Sequence, residues 1–504
     1  VGTQHGDETD HGGLARTAAG AFGWSFLNAA LSRLGTLLVG VLMARILGPG
    51  EFGTFAVAMV ALLAVLSFNE LGVSLAVVRW ERDPESVLGT VNAISTAGSV
   101  LLFCAMYATA EPVASLLGAP DAAGIIRLMS VSVVFSGMVA GPAALLQRRF
   151  QQRRRLVIDQ AVTWSGTALS LGLALGGFGA WSLAWGRVAA TLIGVALFVH
   201  ATRPYRLHVD RALVVPLLRF GLPLAGASIV VFAVAYVEQV AVGATLGATA
   251  LGYFVLAFNL ASWPLNMFSQ PLRSVAPAVF SRLQGDPRRL GDSFTTLLRV
   301  VAVVTLPVCL VGAAVADDVI RFVYGAEWAP AADVFAVLVL VTAARIFVEL
   351  SYDLLVVLRR TGRLLAVQLL WLAVLAPTVL LAARERGVVG VAVAELVVVA
   401  VVVVPCYLVM LRGCGLRIAP LGAAVVVPLL VAAVGAGAAA LVARELSSPL
   451  LATLAGGLIC LAAIGCILAL RPHQLRQLRD LRSGAAVADA PSSPQDPVIE
   501  AAQA

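Results

Sequence analysis

Between Leu246 and Arg289 an apolar stretch of membrane-spanning length carries Asn259, Ser262, Asn266, Gln270 and Arg273 at steps of three or four residues. On an α-helix these side chains share one face, opposite Val255, Leu256, Leu260, Trp263 and Met267. They offer hydrogen-bond partners and a positive charge to a polar interior, while the other face suits lipid or packed neighbours. The first apolar run shows the same kind of pattern, with Ser25, Asn28, Ser32 and Thr36 along a stripe and Arg33 beside it near mid-membrane. An arginine at mid-bilayer costs about 2.5–3.5 kcal/mol on insertion scales, so an unpaired one faces a wet cavity, and several of them argue for an anionic cargo. Glu70, flanked by Ser67 and Ser74, together with Glu238 beside Gln239 and Glu395, are acids within the apolar runs. Such carboxylates either carry a coupling proton or sodium ion or pair with arginine, and Arg33 has Glu70 and Glu238 as pairing candidates. Arg345 is a further binding candidate, although Glu349 and Asp353 at i+4 and i+8 can neutralise it along one face. Arg127 and Arg187 read likewise as structural charges, and Arg45 and Arg299, near helix ends, as snorkelling cations.

The elements that must hold these residues are membrane helices. The 504 residues are 60% hydrophobic and 12% charged, and the mean hydropathy of +0.94 lies far from that of a water-soluble globule. Windows of about twenty apolar residues predict an all-α polytopic membrane protein of about fourteen transmembrane helices. These fall at 24–47, 54–78, 88–109, 124–146, 156–177, 179–200, 214–243, 249–271, 294–316, 331–357, 364–383, 388–411, 419–443 and 449–470. All 35 basic residues are arginine, and the net charge of +7 sits in short loops, where membrane orientation explains it better than nucleic acid does. An even helix count puts both termini on one side. Taking that side as cytoplasmic places Arg148, Arg149, Arg153, Arg154 and Arg155 in one inner loop and Arg359, Arg360 and Arg363 in another, and leaves Arg321, Arg384, Arg386 and Arg444 outside. The six cysteines lack metal-site or disulfide spacing. The polar, acidic start of the chain shows no cleavable signal peptide, so the first apolar run is expected to insert as a true span.

A repeat organises these helices. Leu47-Gly48-Pro49-Gly50-Glu51-Phe52-Gly53-Thr54-Phe55 aligns with Leu246-Gly247-Ala248-Thr249-Ala250-Leu251-Gly252-Tyr253-Phe254, matching both glycines and the final phenylalanine at an offset of 199. Asp83-Pro84 with Leu88-Gly89 then resembles Asp286-Pro287 with Leu290-Gly291, and Leu117-Gly118-Ala119 resembles Tyr324-Gly325-Ala326. The order of the matches indicates two six-helix lobes in parallel orientation, as in transporters that alternate access about a central site. The expected divisions are a cytoplasmic tail at 1–20, lobes at 21–205 and 206–413, two appended helices in 414–470, and a tail at 471–504. That tail begins with the basic RPHQLRQLRDLR, which suits either a surface helix or a plain anchor, and ends with a disorder-prone composition.

Met43-Ala44-Arg45-Ile46-Leu47-Gly48-Pro49-Gly50-Glu51-Phe52-Gly53, then LGYFVLAFNLASWPLNMFSQPL with VAPAVFSRLQGD, then VYGAEWAPAADVFAVL at 323–338 resemble the polysaccharide-synthesis or oligosaccharide flippases. Their superfamily also holds the MATE-like multidrug and toxin extruders and the lipid II flippases, and the nearest branch exports exopolysaccharide and lipopolysaccharide repeat units. The resemblance implies a two-lobed transporter that moves undecaprenyl-diphosphate-linked oligosaccharide across the plasma membrane without chemical change. It also implies an electropositive cavity lined by helices 1, 2, 7 and 8. No cofactor is expected, and whether H+ or Na+ drives transport is left open. The expected partners are the lipid-linked oligosaccharide, membrane lipids, and a glycan polymerase and glycosyltransferases of the same pathway, with no nucleic acid. The competing readings are a cation-coupled extruder of the same fold and, from another class, a membrane polymerase or ligase. The enzyme would need a sizeable external loop that the sequence lacks.

Overall fold

The computed structural model describes residues 39–68, 74, 77, 84–149, 151–203, 205–269, 276–277 and 279–470, and within that range helices are joined by short turns and extended links. Ten helices among the described residues are long and apolar enough to cross a membrane. Three of these rods, Val39–Phe68, Ile229–Met267 and Thr361–Gly413, contain a glycine with positive φ, namely Gly48 (71°), Gly247 (84°) and Gly387 (64°). A side chain in that left-handed region would clash with its own backbone, so glycine lets the chain turn between two helices in a single residue. Dividing the rods at these points and adding Gln152–Leu175 gives the fourteen segments that the hydropathy pattern predicts.

We label the helices that matter below α1 (Val39–Phe68), α2 (Pro84–Ala108), α3 (Ala123–Arg148), α4 (Gln152–Leu175), α5 (Ala180–Ala201) and α6 (Arg211–Ala261). The later ones are α7 (Pro287–Ala314), α8 (Ala316–Val323), α9 (Ala331–Val357), α10 (Thr361–Val398), α11 (Ile418–Glu445) and α12 (Pro449–Leu470). Two entry points show why helices begin where they do. Asp210 accepts from the Ala212 N–H at 2.9 Å to open α6. Asp286 accepts from Arg288 and Arg289 at 2.9 and 3.2 Å to open α7, where Pro287 occupies the first turn and needs no N–H partner.

The chain forms two compact units. The first comprises Val1–Ser262, Ala316–Ala344 and Arg360–Cys406. Within it α2 packs on α3, α3 on α5, α5 on α4, and α6 on α10. Small residues allow close approach at these crossings: a Cβ on Gly137 would sit 2.7 Å from the Ser95 carbonyl oxygen, and one on Gly166 would sit 2.7 Å from the Ala190 Cβ. Extended residues before α6 lie along α2, where the His208 N–H donates to the Gly89 carbonyl at 3.3 Å and the Asp210 N–H to Thr90 Oγ1 at 3.1 Å.

The second unit comprises Trp263–Val315, Arg345–Arg359 and Tyr407–Ala504. Here α7 packs against α11 and α12, and Leu265, Val301 and Ile346 form a buried cluster. The segment entering α11 passes the start of α7, with Gly415 beside Pro287 and Gly291 beside Leu416. Gly291 is the residue aligned with Gly89, so each sequence copy lays a linker over the same glycine. Along α12, Leu451, Leu454, Leu458 and Leu461 are all more than half exposed. Such a stripe is an aggregation surface in water but the natural face of a helix among acyl chains. This is a multi-pass membrane protein.

Candidate functional site

The polar residues of the apolar runs divide into those the structure describes and those it does not. Asn28, Ser32, Arg33, Glu70, Gln270 and Arg273 lie outside the described residues. Glu238 and Gln239 are buried in α6, at 4% and 6% exposure, and Glu395 is buried in α10 at 1%. Arg345 is half-buried on α9 with Glu349 and Asp353 one and two turns on. All three, like Glu238, Glu395 and Asn266, make bonds or electrostatic contacts, so none is a lone charge in an apolar layer.

The expected continuous helix through 249–271 is corrected. The α-helix stops at Ala261, Ser262 caps it while its hydroxyl donates to the Phe258 carbonyl at 2.7 Å, and a π-helical turn runs over Leu265–Ser269. Pro264 supplies the reason. It has no N–H for the carbonyl of Leu260, and its ring crowds that oxygen, so the regular i to i−4 ladder cannot continue. Asn259, exposed, and Asn266, half-buried, therefore do not follow one another on a single α-helical face. The spacing rule fails where proline changes the period.

The arginines sort only partly as expected. Arg127 is paired with Glu111 at 2.7 Å, and its guanidinium carbon lies 5.6 Å from the Tyr107 ring centroid, as a structural charge would be. Arg187 is half-buried on α5, and among the described residues its enclosed Nε has no acceptor. Arg45 does not snorkel. Its Nε–H donates to the Val323 carbonyl at 2.7 Å and an Nη to Phe322, which seats a cation on the C-terminal end of α8. That end carries partial negative charge from its unpaired carbonyls.

Arg45 leads to a constellation that hydropathy and charge did not single out. Trp328, 1% exposed, donates its indole N–H to the Ala44 carbonyl at 3.1 Å. Its ring meets Phe52 and Tyr253 edge-on at 5.5 and 5.9 Å and Tyr324 at 6.3 Å. Burial pushes the Tyr324 phenol up to about 12, so it keeps its proton at any physiological pH. Beneath this cluster the two copies of the glycine turn touch reciprocally. A Cβ on Gly53 would overlap the Ala248 carbonyl oxygen, and one on Gly252 would lie 2.6 Å from the Pro49 carbonyl oxygen, a somewhat looser approach. Pro49 and Ala248 are aligned with each other, as are Gly53 and Gly252, so the contact has the two-fold form that a duplicated hairpin produces. Gly118 extends it, since a Cβ there would lie 2.8 Å from the Gly247 Cα. The signal that could have found it is Trp328 itself, an indole in a short loop between two apolar runs, within the 323–338 stretch that carries part of the resemblance.

Comparisons with known proteins agree with this architecture. The chain is 28% identical to the succinoglycan biosynthesis transport protein ExoT of Rhizobium meliloti, over 65% of this chain and 66% of ExoT. It is 23% identical to the lipopolysaccharide biosynthesis protein WzxC of Escherichia coli, over 79% of this chain and 81% of WzxC. Its fold is similar to a lipid II flippase MurJ structure in an inward closed conformation, with a TM-score of 0.74 and 14% identity, covering 88% of this chain and 98% of that one. A family model described as polysaccharide biosynthesis protein matches residues 42–333, more than half of the chain and a span that takes in both glycine turns and Trp328. By that match the chain belongs to the polysaccharide biosynthesis protein family.

Proposed function

We propose that this protein is a flippase that moves a polyprenyl-diphosphate-linked oligosaccharide from the inner to the outer face of the plasma membrane for surface polysaccharide assembly. The observation that carries the reading is the family match over 42–333, supported by a relative named for succinoglycan transport and another for lipopolysaccharide biosynthesis. The chemistry agrees. A diphosphate needs charge that persists at any relevant pH, and a guanidinium supplies it with two parallel hydrogen bonds, while amides and hydroxyls suit sugar hydroxyls. Arg33, Asn28 and Ser32 of the first helix and Glu70, Glu238, Asn259, Ser262, Asn266, Gln270, Arg273 and Arg345 of the later ones are the proposed lining. The six-helix halves are the proposed moving bodies, with both termini cytoplasmic. Glycosyltransferases and a polymerase of the same pathway are the proposed partners upstream and downstream.

Arg33→Ala and Arg273→Ala should each impair glycan export while leaving membrane insertion intact. Wild-type export by the double variant would remove the proposed diphosphate site. A second reading, a cation-coupled extruder of small molecules, is favoured by the burial of Glu238 and Glu395. In the flippase reading the same acids are the proposed place for a coupling proton or sodium ion. Replacing each with glutamine should then abolish any dependence of transport on the corresponding ion gradient.

A further inference from the structure

We propose that the doubled glycine turn is a gate in its closed position, seated by the reciprocal approach of Gly53 and Gly252 and bolted by Trp328 and Arg45. The proposal deepens the transport reading, on which its role in cargo release rests. Three observations support it. First, the seat is made by backbone, not by interlocking side chains: Gly53 against Ala248, Gly252 against Pro49, and Gly118 against Gly243 and Gly247. Glycine backbones in contact present flat surfaces that part and re-form without repacking a jigsaw of rotamers.

Second, the seat alone offers little to hold it shut, and the contacts that do hold it are all made to one segment. The 316–328 segment delivers Trp328 onto the Ala44 carbonyl and into the angle between Phe52 and Tyr253, and delivers the end of α8 to Arg45. Trp328 touches the first copy through Ala44 and Phe52 and the second through Tyr253, so one side chain spans the junction. Glu327 reaches the same junction, with its Oε2 3.4 Å from where a Cβ on Gly48 would lie.

Third, the bolt is withdrawable. Trp328 makes a single directed hydrogen bond to main chain, and Arg45 is exposed and bonded only to carbonyls among the described residues. Neither bond belongs to a helix ladder that must break when they part.

The test reads accessibility and needs no cargo. Val57 lies one turn below Gly53 on the same helical face and is fully buried, so Val57→Cys is a near-isosteric reporter beneath the seat. A membrane-impermeant maleimide is applied to the full chain in right-side-out vesicles, with the same chain lacking Val57→Cys as the background for the native cysteines. Labelling should be slow in the parent and about tenfold or more faster with Trp328→Ala or with Arg45→Gln, as expected when a closing interaction is removed from a two-state equilibrium. Gly53→Ala should accelerate it further, because the added Cβ cannot occupy the seat. Arg45 is exposed, so Arg45→Gln keeps the test open if Trp328→Ala does not fold. Unchanged labelling in Arg45→Gln and in every folded Trp328 and Gly53 variant overturns the proposal.

The converse experiment locks the gate. A Cβ on Gly50 would lie 3.9 Å from Thr249 Oγ1, so a Gly50→Cys, Thr249→Cys pair brings two thiols face to face across the seat. Oxidation should stop oligosaccharide export and a reductant should restore it; export unaffected by the formed disulfide also overturns the gate. If labelling follows the bolt but no oligosaccharide moves in the unlocked protein, the gate stands and the transport reading fails.

Discussion

The two copies of the glycine turn share a backbone and differ in what hangs on it. Gly48 and Gly247 have φ of 71° and 84°, and Gly53 and Gly252 make matching approaches to each other's copy. Around that common frame the first copy carries Arg45, Glu51 and Phe52 where the second has Ala244, Ala250 and Leu251. The loops that cover the turns differ in the same way. Each has a short 3-10 turn, Pro120–Ala122 in one and Ala326–Trp328 in the other, but the exposed Asp121 stands near the place that Trp328 fills in the second. The seat is common to both copies, while the side chains around it differ, with Arg45 and Phe52 contributed by the first copy and Trp328 and Tyr253 by the second. The same asymmetry explains Glu51, whose Oε2 accepts the Ala180 N–H at 2.8 Å and caps α5, a role that Ala250 cannot play at the matching turn before Val388.

Substitutions at matching positions of the two copies should differ in effect where the side chains around the seat differ. Trp328→Ala removes a fully buried indole and should cost about 3–5 kcal/mol, whereas Asp121→Ala at the matching place should be close to neutral; thermal unfolding in detergent compares them. Next, Gly53→Ala and Gly252→Ala should each destabilise the closed form by about 1–3 kcal/mol through overpacking, and by similar amounts if the seat is symmetric. Gly177→Ala cannot serve as their control, because its φ of 81° adds strain of its own. Gly50→Ala can, since its nearest neighbour lies 3.9 Å away.

Glu51→Gln weakens a charge-assisted cap and should cost about 1 kcal/mol, with faster amide exchange confined to the first turn of α5. The smallest effect is expected at Asp318. Burial, and then the neighbouring Asp317 carboxylate, hold its pKa above the usual 3.8, with Arg321 opposing. The folded form therefore binds this proton more tightly than the unfolded one, and stability falls as pH rises above the unfolded value of about 3.8. Asp318→Asn should raise the thermal midpoint slightly at neutral pH, and the gain should vanish in acid.

Much of the fold was legible because membrane helices announce themselves through length and hydropathy, and because Gly48 and Gly247 recur in matching contexts. The turn at Gly387 was legible for the same reason, a glycine between two apolar runs. What the spacing could not show was the π-turn over Leu265–Ser269, because a single Pro264 resets a period that side-chain counting assumes constant. The role of Arg45 was illegible for a different reason. Its partners lie 277 and 278 residues away in the chain and are main-chain carbonyls, which carry no signature in the sequence. The contacts of Trp328 were illegible too, since its neighbours come from three separated segments.

Flippase activity is tested most directly by reconstitution of the purified full chain into vesicles that contain a fluorescent polyprenyl-diphosphate oligosaccharide in one leaflet. Transfer to the opposite leaflet, read by a glycan-cleaving enzyme added outside, should require the protein and should be lost in Arg33→Ala/Arg273→Ala. Folded protein that leaves the oligosaccharide where it was, under either a proton or a sodium gradient, while extruding a cationic dye would contradict the flippase reading.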